Sequence, residues 1–200
     1  ETIRAVFASH LPDYEYEHIF CDNASTDGTL AVLREVARED PRVRVIANSR
    51  NFGVFNSMFN GLLATSGCAV IPFVPADLQD PPELIPEFVR AWEAGHEIVY
   101  GVRANREESA LLSFVRRGYY RLVNRLARID IPPNVGEFSL IDRRVVDALR
   151  ECEDYYPYLR GMIAACGFRS TRIEYTWRAR RRGLSKANAY ALLDQGLNGL

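Results

Sequence analysis

Apolar residues recur along this chain with two periods, and the two alternate. Leu30, Leu33, Val36 and Ala37 share one face of a helix predicted over 29–38, which Pro41 stops. Val43 to Ala47 is rich in β-branched residues and reads as a strand. The helical period returns over 54–65, with Phe55, Met58, Phe59, Leu62 and Leu63 expected inward and Gly67 as the stop. Cys68 to Val74 is a near-continuous apolar run, the pattern of a strand covered on both faces, although Pro72 inside it cannot donate to a ladder. Pro82 suits the first turn of the next helix, whose inward face is Leu84, Ile85, Phe88, Val89 and Trp92, and Gly95 ends it. Tyr16 to Cys21 and Glu97 to Val102 are two further strands, and Ile3, Val6 and Phe7 mark a helix at the start.

Beyond residue 105 the rhythm changes. Residues 109–128 form one long amphipathic pattern, in which Leu111, Leu112, Phe114, Val115, Tyr119, Leu122, Val123 and Leu126 interleave with Arg116, Arg117, Arg121, Arg125 and Arg128. A loop over 130–136 leads into Glu137 to Asp142; helices follow over 143–150 and 158–165, and 169–177 alternates like a strand. Strand–helix alternation of this kind predicts an α/β fold, a doubly wound and mostly parallel sheet flanked by helices. Such sheets bind ligands beyond the carboxyl ends of their strands. Two acidic clusters, Asp22 to Asp27 and Asp77 to Asp80, follow strand-like runs directly and are expected on the same edge.

Composition narrows the reading. With 200 residues, 48% hydrophobic and 26% charged, the chain has the size and make-up of one globular domain. A net charge of -1 selects no nucleic acid through a global field. Locally the balance is uneven: acids dominate up to about Glu108 and arginines after it, most densely at Arg178, Arg180, Arg181, Arg182 and Lys186. Cys21, Cys68, Cys152 and Cys166 form no CxxC pair, so a zinc site is not expected; they read as small buried residues. His10, His18 and His96 read as structural or exposed. No run of about 18 apolar residues spans a membrane. The chain starts without Met and inside a helical pattern, so a fragment cut at both ends is expected.

Asp77, Gln79 and Asp80 gather like charges that repel unless something positive joins them. An oxygen-only set of this kind favours Mg²⁺ or Mn²⁺ over zinc, and Mg²⁺ commonly takes one or two carboxylates plus phosphate oxygens. The competing reading is that Asp80 caps the helix starting at Pro81 or Pro82. Asp22, at a strand tip, can accept the N–H of a nucleobase; the residues after it suit a tight turn and helix cap.

The order of "DNASTDGT", "NFG", "ADLQDPPELI", "YGVR", "GEFSLIDRRVVDAL" and "RRRGLSK" resembles the family 2 glycosyltransferases, over nearly the whole chain. The similar branch is the polyprenyl-phosphate glycosyltransferases, which includes dolichyl-phosphate mannose synthases and undecaprenyl-phosphate glucosyltransferases. "ADLQDPPE" is the specific string, whereas "DNASTDGT" alone is weak. The resemblance implies a GT-A-type fold and a single catalytic domain over 1–200, with a nucleotide-sugar and metal half over 1–105 and an acceptor half over 106–200. It implies that Asp77 and Gln79 hold Mg²⁺ or Mn²⁺, and that Asp77 and Glu137 are catalytic. Asp22, with Asn23 and Asp27, would bind the nucleotide; Ser185 and Lys186, helped by Arg180, would contact its diphosphate. Arg117 and Arg121 would face the acceptor phosphate.

Three departures qualify this pattern. Pro75 stands where the family often has its first metal acid, leaving Asp77, Gln79 and water; Ser139 stands where an arginine is common; and the family's first strand would lie before Glu1. The implied reaction is inverting, metal-dependent transfer of a hexose to a polyprenyl phosphate, with UDP-glucose or a related UDP-hexose as donor and GDP-mannose second. The implied setting is the cytoplasmic face of a membrane, anchored by helices beyond Leu200, with no nucleic-acid partner and a possible homo-oligomer. The alternatives are a family 2 enzyme acting on a polysaccharide or soluble acceptor, and a catalytically silent binding module.

Overall fold

The computed structural model describes residues 1–104, 135–152 and 157–178. Its elements, in chain order, are α1 (Thr2–His10), β1 (His18–Asp22), α2 (Thr29–Glu39), β2 (Val43–Ala47), α3 (Val54–Leu63), β3 (Ala69–Val70), α4 (Ile85–Glu93), β4 (Ile98–Arg103), β5 (Val135–Asp142), α5 (Arg143–Arg150), α6 (Leu159–Ala165) and β6 (Ser170–Tyr175). A single 3₁₀ turn, Pro82–Leu84, leads into α4, with the proline at its start as expected.

The strands form two sheets. One is the parallel pair β1–β2; the other has the order β3-β5-β4-β6. In the second, β5 runs antiparallel to both β3 and β4, whereas β4 and β6 are parallel. The α/β class stands, but two of the three pairings in this sheet are antiparallel rather than parallel. The reason is topological: a strand entering from the opposite end lies between two strands of common direction, which no hydrophobic pattern encodes.

Alternation within β4 and β5 covers the four-stranded sheet on both faces. Ile98 and Tyr100 point with Ile141 into one core, with Met58 and Leu62 of α3, Val145, Val146 and Leu149 of α5, and Leu159 and Ile163 of α6. Val99, Leu140 and Phe138 point into the other, against Val6 of α1 and Ile85, Phe88 and Val89 of α4. Phe138 packs with its ring tilted 47° against Phe88 at 5.0 Å and meets Tyr175 edge-on at 5.8 Å. Gly101 is required here: a Cβ on it would lie 2.4 Å from the Phe138 carbonyl oxygen, where the β4–β5 register shifts. Gly61 plays the same part between α3 and β1, since its Cβ would fall 2.6 Å from Cys21 Sγ.

Two expectations are corrected. The apolar run Cys68 to Val74 pairs only over Ala69 and Val70, because Pro72 and Pro75 lack the N–H that a longer ladder needs. Helix α2 forms as expected; Leu30, Leu33 and Ala37 of its stripe are half-buried, and Val36 is 36% exposed. None of the four cysteines is fully buried: Cys68 and Cys152 are exposed, and Cys21 and Cys166 are half-buried.

Glu17 ties the start of β1 to the turn between α3 and β3. Its Oε1 accepts from the Ser66 N–H at 2.5 Å, the Ser66 hydroxyl at 2.8 Å and the Gly67 N–H at 3.2 Å, while Oε2 pairs with Arg44 at 2.8 Å. Burial opposes the charge, but these donors outweigh it and hold the carboxyl at about 2, below its usual 4.5. Because the folded value is the lower one, the unfolded chain takes up the proton first as pH falls. The stabilisation is therefore complete above about 4.5 and lost down to about 2. Glu17→Gln should cost roughly 1–2 kcal/mol at neutral pH, allowing for solvent screening. Urea unfolding at a series of pH values should show the gap to wild type closing across that window; a gap that is constant in pH would show that the charge is not the cause.

Candidate active site

Strands β3, β4 and β6 share one direction, so their C-terminal ends and the N-terminal end of β5 meet on one edge of the four-stranded sheet. The loop after β3, the last residue of β4, the last of β6 and the third of β5 therefore come together. They supply Asp80, Arg103, Tyr175 and Glu137.

Asp80 is 1% exposed. Arg103 Nη2 donates to its two oxygens at 3.1 Å and 3.1 Å, and the Tyr175 hydroxyl donates to Oδ1 at 2.5 Å. Arg103 Nε donates to the Tyr175 oxygen at 3.2 Å, and the guanidinium also lies 5.0 Å from the Trp177 ring centroid. Burial and the Asp80 carboxylate push the Tyr175 hydroxyl well above its ordinary value. Asp80 thus does not cap a helix, as one reading of the sequence proposed; Pro81 precedes the 3₁₀ turn and no side chain caps it. The positive partner beside Asp80 is an arginine. Gly136 makes room for it, since a Cβ there would approach Arg103 Nη2 to 3.3 Å.

With Asp80 neutralised, Asp77 and Gln79 remain as the oxygen donors of the loop. They sit on a tight turn: Leu78 is left-handed at φ 55, its N–H donates to the Pro75 carbonyl at 3.0 Å, and the Gln79 N–H donates to Asp77 Oδ1 at 3.2 Å. Gln79 is pinned from the far side. Its Nε2 donates to the Arg178 carbonyl at 3.3 Å and its own carbonyl accepts from the Arg178 N–H at 3.0 Å, so its amide oxygen is the acceptor left for a ligand. Among the described residues no three His, Cys, Asp or Glu side chains cluster as a metal cage. The Asp77 carboxylate and the Gln79 amide oxygen together fit a hard cation that keeps water and takes phosphate oxygens, as Mg²⁺ does.

Glu137 lies between two arginines. Arg160 Nε, at the start of α6, is 2.7 Å from its Oε1, and both side chains are largely buried, at 16% and 17% exposed. Burial drives the Glu137 carboxyl up, Arg160 and Arg103 pull it down, and Asp80 adds to the rise; the net direction is up. Arg160 is itself held by its Nη1 donating to the Val135 carbonyl at 2.9 Å.

The rest of "GEFSLIDRR" is structural. Asp142 accepts from the Arg144 N–H at 2.9 Å as the cap of α5 and from Trp92 Nε1 at 2.7 Å. Arg143 donates to the Gly67 carbonyl at 2.6 Å and 2.8 Å. Ser139 is buried opposite Tyr100.

The second acidic cluster lies on the other sheet, at the end of β1, and not on the expected common edge of one sheet. Asp22 is 4% exposed; its Oδ2 accepts from the Ser25 N–H at 3.2 Å, while its Oδ1 is buried with no hydrogen-bond partner among the described residues. A buried orphan oxygen is costly and points to a missing donor. Asn23 is committed within the protein: it donates to Asn51 Oδ1 and the Gly53 carbonyl, and accepts from Asn48 and from the Phe52 N–H. Asp27 is exposed and accepts from the Thr29 N–H at 2.9 Å at the entry to α2, the turn role weighed against binding. Arg117, Arg121, Arg180, Ser185 and Lys186 lie outside the described residues.

Sequence reasoning missed Arg103, Tyr175 and Arg160. A signal existed for the first: an arginine ending the apolar run Ile98 to Val102 must find a partner, because a buried charge without one is prohibitive. Tyr175 and Arg160 carried none, since each meets its partner only through strand order.

Residues 1–150 match the family model "Glycosyl transferase family 2". The chain is 37% identical to the uncharacterized glycosyltransferase YkcC of Bacillus subtilis, over 92% of this chain and 57% of that protein. It is 34% identical to the bactoprenol glucosyl transferase of Shigella phage SfX, over 95% of this chain and 62% of the relative. The chain thus spans about three-fifths of the curated relatives it matches. Among solved structures, a mannosyltransferase from Pyrobaculum calidifontis, in complex with GDP-Man and Mn²⁺, superposes with a TM-score of 0.52 at 19% identity, over 92% of this chain and 55% of that one. That likeness supports the GT-A fold.

Proposed function

The chain belongs to glycosyl transferase family 2, and on that premise we propose that it forms the catalytic domain for transferring a hexose from a nucleotide sugar, UDP-glucose or a related UDP-hexose, to a polyprenyl phosphate. One observation carries the reading: a turn bearing Asp77 and Gln79, braced by Asp80, Arg103 and Arg178, stands at the carboxyl ends of the strands beside Glu137. The bactoprenol glucosyl transferases among the relatives support the lipid acceptor. The GDP-Man complex of the solved neighbour keeps a guanine donor as the second reading.

The chemistry is a single in-line displacement. An oxygen of the acceptor phosphate attacks the anomeric carbon, the bond from that carbon to the donor diphosphate breaks, and the configuration inverts. A phosphate oxygen is already anionic, so no strong base is required. Glu137, fixed by its ion pair with Arg160, orients the acceptor, and the arginine offsets the carboxylate's charge toward the incoming phosphate. Asp77 and Gln79 would hold a divalent cation, which when bound offsets the charge of the departing diphosphate. Ser185, Lys186 and Arg180 are assigned to that diphosphate, and Arg117 and Arg121 to the acceptor phosphate. Asn23 acts by positioning its loop, and Asp27 by shaping the turn beside Asp22. No helix among the described residues is long and apolar enough to cross a membrane. The domain is assigned to the cytoplasmic membrane face, with anchoring helices beyond Leu200 and no nucleic-acid partner.

The test is transfer from radiolabelled UDP-glucose to a polyprenyl phosphate in vesicles by the full-length protein. The double charge reversal Arg117→Glu/Arg121→Glu should cut lipid transfer more than tenfold while nucleotide binding is kept. Unchanged transfer in that variant would reassign the acceptor to a soluble or polysaccharide class; absence of transfer by wild type, despite nucleotide binding, would favour a silent binding module.

A further inference from the structure

One aromatic side chain stands at the reaction edge with no part in the chemistry above. Trp177 follows the end of β6 by two residues and is 37% exposed. Singly exposed apolar residues are ordinary on protein surfaces. Trp177 differs in how firmly it is fixed. On one side of it in the chain, the Tyr175 carbonyl accepts from the Ala104 N–H at 2.9 Å, at the end of the β4–β6 ladder. On the other side, Arg178 exchanges two hydrogen bonds with Gln79 and pairs with Glu83 at 3.2 Å. The Arg103 guanidinium carbon lies over the indole, 5.0 Å from the ring centroid, and Arg103 is itself clamped by Asp80 and Tyr175. Backbone and ring are both held, yet the residue stays open to solvent. Its rotamer freedom is spent before any ligand arrives, which is what a preorganised contact surface requires.

We propose that Trp177 is the platform on which the donor's hexose stacks. This rests on the nucleotide-sugar reading above. Position is the first argument. Trp177 is tied, through its chain neighbour Arg178, to the turn that carries Asp77 and Gln79 and is assigned to the donor diphosphate. The hexose hangs from that diphosphate by one bond, so a surface fastened to the turn lies within its reach. The acceptor enters opposite the diphosphate, which puts the lipid on the far side of the reacting carbon. Chemistry is the second argument. A pyranose in its chair form turns C–H groups toward its faces, and these carry partial positive charge that suits the negative face of an aromatic ring. The indole N–H remains as a donor for a sugar hydroxyl. An anionic part of the ligand would be drawn to the arginines, whereas a flat apolar surface suits the uncharged sugar between the two phosphate sites.

The experiment is calorimetric titration of the full-length protein in detergent with Mn²⁺, comparing each donor with its own nucleotide: UDP-glucose with UDP, and GDP-mannose with GDP. Wild type, Trp177→Ala and Trp177→Phe are compared, with tryptophan fluorescence recorded. For the pair that wild type binds, Trp177→Ala should weaken the nucleotide sugar about five- to tenfold, the scale of one aromatic contact, and leave the bare nucleotide unchanged. Trp177→Phe keeps a ring and should restore most of that loss. The nucleotide sugar should change wild-type fluorescence more than the nucleotide does, and that difference should vanish in Trp177→Phe. Equal weakening of nucleotide sugar and nucleotide in Trp177→Ala makes the indole only a brace for Arg103 and overturns the inference. Unchanged binding of the nucleotide sugar in Trp177→Ala overturns it while leaving the nucleotide-sugar reading in place. So does a Trp177 fluorescence response to polyprenyl phosphate with none to the nucleotide sugar, which would seat the lipid on the indole. Failure of wild type to bind any of the four nucleotides overturns the nucleotide-sugar reading and this inference with it.

Discussion

Asp77→Ala should abolish metal-dependent nucleotide binding and lower transfer by roughly 10²–10³-fold, the scale of losing one preorganised electrostatic contact to a leaving group. Asp77 supplies the only carboxylate that the loop offers to a cation, because Asp80 is spent on Arg103 and Pro75 occupies the position of a further acid. The fold should survive. Asp77 is half-exposed on a turn, and the Gln79 N–H that it accepts can turn to water. Titration of UDP with and without Mn²⁺ separates the effects: wild type should gain affinity from the metal and the variant should not. Asp77→Asn should recover part of the binding through its remaining oxygen. A metal effect of the same size in wild type and Asp77→Ala would place the cation elsewhere and remove the basis of the assignment to Asp77 and Gln79.

Asp80→Ala should have the largest effect on stability, about 3–5 kcal/mol. The change strands a guanidinium that is 19% exposed and a tyrosine hydroxyl whose partner is gone, and it frees the loop that carries Asp77. Breaking one side of a buried pair costs far more than removing both. Asp80→Leu combined with Arg103→Met should therefore be much less destabilising than Asp80→Ala alone, while still losing activity because the loop and Glu137 lose their shared brace. Tyr175→Phe should cost about 1 kcal/mol, the worth of one hydrogen bond. Urea denaturation reads all three as shifts in midpoint at constant slope. A loss under 1 kcal/mol for Asp80→Ala would mean that the pair is solvated in solution and that the brace is not as described.

These two neighbouring acids look alike in the sequence and do opposite work. Only Leu78 and Gln79 lie between them, and no local rule assigns one to a ligand and the other to the fold. The partner of Asp80 comes from 23 residues along the chain and its hydroxyl donor from 95 residues along. Arg160 reaches Glu137 in the same way, from 23 residues further on, with α5 between them. The apolar periods did predict α2, β2, α3, α4, β4 and β6 to within a few residues, since each depends on contacts made by its own neighbours. One shortfall is also physical: β3 stops early because Pro72 is a backbone defect whose reach depends on the partner strand.

By itself, then, the sequence determined the elements, the α/β class, the resemblance to family 2 glycosyltransferases, and which loops carry chemistry: these follow from local periodicity, proline and glycine placement, and strings of residues at short spacing. Only the tertiary structure decided that β5 runs against its neighbours, that Asp80 belongs to Arg103 and Tyr175, that Glu137 sits beside Arg160, and that Asp22 Oδ1 has no donor among the described residues. Charge neutralisation and burial are properties of three-dimensional neighbours, and strand order, which sets those neighbours, leaves no periodic mark on the chain.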